Sequence, residues 1–70
     1  MDEQMRIQAA TTSIAKELDR IYSNMNNTTY SASTHDCYVE QYNAYLNKMS
    51  AMHYVATYSS VTGNHIVTRA

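Results

Sequence analysis

The chain has no proline, tryptophan or phenylalanine, and only one glycine and one cysteine in 70 residues. A lone cysteine, Cys37, can neither close an internal disulfide nor build a thiolate-rich zinc site. One glycine, Gly63, rules out a phosphate-cradling loop, a dinucleotide fingerprint and a Gly-x-Ser-x-Gly elbow, so nucleotide hydrolysis of the ordinary kinds is excluded. Concentrated positive charge is also missing. The five Lys and Arg residues are scattered among six acids for a net charge of -1, which argues against binding a nucleic-acid backbone. No apolar run approaches the roughly 18 residues that span a bilayer. The start, Met1-Asp2-Glu3-Gln4, lacks the basic and apolar segments of a signal peptide, so the expected location is soluble and cytoplasmic, in the host cytoplasm if the source is viral.

Strong core formers are scarce as well. Leu18, Leu46, Ile7, Ile14, Ile21, Ile66, Val39, Val55, Val61 and Val67 are the only Leu, Ile and Val residues, about one in seven. A domain of this size buries only about 60% of its unfolded surface, and that gain is nearly cancelled by conformational entropy. With an internal disulfide and a thiolate-rich zinc site excluded, self-association is the expected supplement, and the chain is read as one small helical domain, 1–70, with 61–70 as a tail.

What is present is helical periodicity. Ile7, Thr11, Ile14, Leu18, Ile21 and Met25 step by four and three, one stripe on a helix over about 3–26. Asp2 and Glu3 suit its start, and Asp2 with Arg6 is a correctly ordered i, i+4 pair. Residues 24–34 are rich in Asn, Thr and Ser, whose side chains bond nearby backbone, and read as a loop. Ser33 with Asp36 resembles a capping box, and Thr34 is an equally good N-cap. Tyr38, Tyr42, Tyr45, Met49, Met52, Ala56 and Ser59 then trace a second stripe, widened by Val39, Leu46 and His53, over about 34–60. The resulting expectation is all-α: an antiparallel helical hairpin with a short extended C-terminal tail, dimerising into a four-helix bundle. Residues 54–61 are strand-prone, and Gly63-Asn64 can turn a hairpin between Thr57–Val61 and His65–Thr68. The alternative is therefore two helices plus a small C-terminal β-hairpin.

His35, Asp36 and Cys37 have the residue types of a nucleophile, its base and an orienting acid. Neighbours along a helix diverge by about 100° each and cannot share a hydrogen-bond chain. The expectation is that Asp36 caps the helix and Cys37 faces inward. His35, His53, His65, Cys37, Asp36 and Glu40 lack metal-site spacing, so only ligation across a dimer would gather them. No catalytic, metal or cofactor site is assigned.

Tyr is the unusual resource, with seven residues. Such rings pack a thin core with their hydroxyls at its edge, form a recognition surface, or stack on a small nucleotide. The core and self-association set is Ile7, Ile14, Leu18, Ile21, Met25, Tyr38, Tyr42, Tyr45, Met49 and Met52. Tyr54, Tyr58, His53, Lys48 and Arg69 are the candidates for contact with a ligand or partner. The expected function is a non-enzymatic interaction protein that self-associates and occupies a host protein's surface. Its size and composition fit an accessory inhibitor of the kind phages and mobile elements encode. The alternative is a binder that sequesters a small molecule or nucleotide between Tyr rings at a subunit interface.

Overall fold

Asp2 opens the first helix, because its carboxylate accepts the Met5 backbone N–H at 2.9 Å and satisfies a donor that the helix leaves free. It serves as the N-cap rather than as the partner of the Arg6 side chain. In the computed structural model, which describes residues 2–70, this helix, α1, runs Glu3–Met25. Ile14, Leu18 and Ile21 of the expected stripe are buried, and Ile7, Thr11 and Met25 are half-buried.

The connection is shorter than expected. Asn27 organises it by accepting the backbone N–H and the hydroxyl of Thr29, at 3.0 and 2.6 Å. Ser31, in extended backbone, caps the second helix by accepting the Thr34 N–H at 3.3 Å, so α2 starts at Ala32. The Ser33–Asp36 capping box does not form, since Ser31 already holds the N-cap position, and Asp36 and Cys37 both face solvent.

Helix α2 runs Ala32–Ala51 and stops well short of the expected position near 60. The Met52 N–H is shared by the Lys48 and Met49 carbonyls, and the His53 N–H reaches the Ser50 carbonyl at 2.9 Å. His53 itself lies in the left-handed region, φ 67, and turns the chain out of the helix. The chain then forms two strands, β1, Tyr54–Ser59, and β2, Asn64–Arg69, paired antiparallel with Tyr54 opposite Arg69 and Tyr58 opposite His65. The all-α reading with an extended tail is therefore corrected, and two helices plus a β-hairpin is the architecture. The strands begin earlier than expected because Tyr54, Val55, Thr57 and Tyr58 are β-branched or aromatic and alternate in and out. Tyr54 is buried while Val55 is 48% exposed, and His65 is buried while Ile66 is 53% exposed. Gly63 closes the turn with φ 72, a conformation that suits glycine, and donates its N–H to the Ser59 carbonyl at 2.8 Å.

Strand β2 packs on α1 and β1 on α2, so the inner sheet face covers the groove between the helices. Ile14, Leu18, Met49 and Tyr54 form the centre, with Ala10, Tyr42, Tyr45, Leu46, Ala56 and Val67 around it. Much of the cover expected from a second copy is thus supplied by the chain's own hairpin. Met52, assigned to the core, is exposed, because α2 ends beneath it. Among the described residues, no helix is long and apolar enough to cross a membrane.

Candidate functional site

Among the described residues one polar side chain is buried in this small core, and it joins three elements. His65 is on the inner face of β2, its side chain 0% exposed. The carboxylate oxygen Oδ1 of Asp19, from α1, accepts both the His65 backbone N–H and ring Nδ1, each at 2.7 Å. A carboxylate only accepts, so Nδ1 carries the proton. On the other side of the ring, Nε2 lies 2.6 Å from the Tyr42 hydroxyl of α2. With a neutral ring the hydroxyl donates to Nε2, and with a protonated ring Nε2 donates to the hydroxyl. Both nitrogens are satisfied either way, and no buried side-chain polar atom among the described residues lacks a partner.

Three tyrosines close around this histidine. The ring centroids of Tyr58, Tyr22 and Tyr42 lie 5.1, 5.3 and 5.5 Å from it, and the first two meet it edge to face. Tyr22 and Tyr58 also stack on each other at 4.3 Å. The placement follows from local geometry: Tyr58 pairs with His65 across the hairpin, and Tyr22 lies one helical turn beyond Asp19 on α1. Outside the cluster lies a cleft of about 380 Å³ lined by Asp19, Tyr22, Ser23, Asn26, Tyr58 and Gly63.

An Asp–His–Tyr chain resembles acid–base machinery, but two features oppose that use. The imidazole is closed off from solvent with both nitrogens engaged, so no substrate atom reaches it. Burial first, then the charges of Tyr22 and Asp19, holds the Tyr42 hydroxyl above the usual phenol range, the wrong direction for an activated nucleophile. The cluster acts as a polar keystone between α1, α2 and β2.

The other candidate residues are dispersed. The His35 ring is 3.5 Å from the Asp36 carboxylate on the surface, and Cys37, expected to face inward, is exposed beside Gln41. No three His, Cys, Asp or Glu side chains come together among the described residues. Of the contact candidates, only Tyr58 borders the cleft. Tyr54 is buried, and the exposed Arg69 holds its guanidinium 5.1 Å from that ring's centroid. Lys48 lines a separate groove with Glu17, Arg20 and Tyr45, and His53 is exposed at the end of α2. Sequence reasoning missed Asp19, Tyr22 and the role of His65. The signal was the alternation of Tyr54, Ala56 and Tyr58 with His65, Val67 and Arg69, which turns His65 inward once the segment is read as a hairpin.

The chain matches no protein-family model, no curated protein and no solved structure.

Proposed function

We propose that this chain is a non-enzymatic interaction protein that self-associates and, in that form, occupies the surface of a second protein. The observation that carries the reading is the outer face of the β-hairpin. Val55, Thr57, Ile66 and Thr68 form two facing pairs there, all β-branched and uncharged, with Val55 and Ile66 about half exposed. A two-stranded sheet is marginal on its own, and a copy meeting it gives a four-stranded or two-layered arrangement. Surface area points the same way. The chain exposes 4967 Å², about 500 Å² above the roughly 4,450 Å² of a compact monomer of this mass. Its radius of gyration is 13.2 Å, against about 11 Å for a compact chain of this length. A face of two six-residue strands is small, so the association is weak, in the class burying less than about 1,200 Å².

Sedimentation equilibrium across a concentration series tests the first step. A concentration-dependent dimer is expected, becoming monomeric in Ile66→Glu with an unchanged circular dichroism spectrum. A wild type that stays monomeric to about 1 mM, or a dimer indifferent to Ile66→Glu, overturns it. The second reading, capture of a small molecule by Tyr rings, is favoured by the cleft beside Tyr22 and Tyr58, which lies within one chain rather than between subunits.

A further inference from the structure

We infer that the cleft beside Tyr58 is a site for an organic cation, an ammonium or guanidinium group; the inference rests on reading this cleft as a ligand site. Asp19 supplies the first reason. Its Oδ1 takes both bonds from His65, whereas Oδ2 receives no hydrogen bond among the described residues, and no Lys or Arg pairs with this carboxylate. The oriented carboxylate is only partly exposed and borders the cleft. The second reason is independent of that side chain. The cleft is lined by Tyr22, Ser23 and Asn26 at the C-terminal end of a 23-residue helix, whose dipole presents partial negative charge there, and α1 has no basic residue in its last turn. The third is the Tyr58 ring. It stacks on Tyr22, the residue as a whole remains 40% exposed, and aromatic faces attract cations.

Carboxylate, helix terminus and ring faces therefore all favour positive charge. Asn26 and Ser23 add neutral oxygens able to accept N–H bonds. Gly63 leaves its side of the cleft open, since a Cβ there would meet nothing within 4 Å. The same groups repel phosphate, so a nucleotide would have to keep its phosphates away from this cleft. A bare metal ion is disfavoured as well, because one carboxylate without two further strong ligands does not replace a hydration shell. The volume of about 380 Å³ suits a small group, free or carried on a basic side chain of another protein.

The test is a titration of isotope-labelled protein, followed by backbone amide NMR shifts, with three probes. They are n-butylguanidinium, the peptide acetyl-Gly-Arg-Gly-amide, and its neutral citrulline counterpart. Saturable shifts at Asp19, Ser23, Tyr58 and Gly63 are expected from both cations by roughly 20 mM, with citrulline at least about ten-fold weaker. Equal affinity for the two cations identifies the charged group alone as the ligand, whereas a peptide preference of about ten-fold or more identifies a partner's basic side chain. Tyr58→Leu, which removes neither Asp19 nor His65, should weaken binding about three-fold. Asn26→Lys, which supplies a competing cation, should abolish it. No saturable shift, an equal response to citrulline, or full binding by Asn26→Lys overturns the inference. If adenosine, added as a fourth probe, shifts these amides while the cations do not, the ligand site stands and its cation preference falls.

Discussion

Replacing Tyr42 by Phe removes one oxygen atom and leaves His65 Nε2 without its partner at 2.6 Å. The His65 side chain is 0% exposed, so no water takes the place of the lost hydroxyl. An unsatisfied buried polar group costs about 1–3 kcal/mol, and complete enclosure places this one near 2. In a domain of this length each kcal/mol lowers Tm by about 4–8 °C, so Tyr42→Phe should melt about 8–16 °C below wild type. Urea unfolding at neutral pH, followed by circular dichroism, measures the free energy directly, with the slope m unchanged. Tyr30→Phe is the control. Its hydroxyl meets Asn24 at 3.4 Å on the surface, and its loss should cost less than about 0.5 kcal/mol. Adding His65→Leu to Tyr42→Phe removes both partners and should cost clearly less than the two single changes summed. A Tyr42→Phe protein within about 0.5 kcal/mol of wild type would show that the keystone carries no such weight.

Alkaline stability is a further prediction. Burial and then the Tyr22 and Asp19 charges raise Tyr42, and burial and then Glu17 raise Tyr45, so folding favours both neutral phenols. This contribution is fully present below the ordinary phenol value of about 10 and is lost as pH rises past it toward the raised values. Urea midpoints should fall more gently above that pH in Tyr42→Phe than in wild type, and parallel curves would contradict the assignment. At the end of α2, His53→Gly should stabilise the protein by up to about 1 kcal/mol in a thermal melt, because a histidine there holds a left-handed conformation. Gly63→Ala should destabilise by about 1 kcal/mol, although a Cβ there meets nothing, since only the backbone conformation opposes it. Leu18→Ala, at a fully buried large apolar side chain, should cost about 3–5 kcal/mol by urea unfolding.

Helix α1 is legible in the sequence because its stripe is regular and its flanking residues are ordinary helix punctuation. The end of α2 is not. The sequence signal for a helix stop is glycine just past the last turn, and the chain's one glycine stands at 63, so the Tyr38 stripe reads on to about 60. In the structure a histidine takes the left-handed position at 53, and Gly63 serves the hairpin turn instead. That displacement hides the site. With residues 54–60 drawn as helix, Tyr58 and His65 fall on unrelated surfaces, whereas strand pairing sets them side by side. Asp19 is harder still, since an acid beside a helical stripe usually faces solvent, and only the arrival of β2 gives it two donors.

The Asp19–His65 contact spans 46 residues, which gives it a place in time as well as in space. The helical pair is joined through 26–31 and the strands through 60–63, so each hairpin closes locally. Joining the first helix to the last strand costs about 2 kcal/mol more loop entropy than closing the link between the helices. Loop entropy therefore favours closing each hairpin before the two dock, which puts the meeting of carboxylate and imidazole late. Asp19→Asn should then speed unfolding more than it slows refolding, which a chevron of the two rates measures.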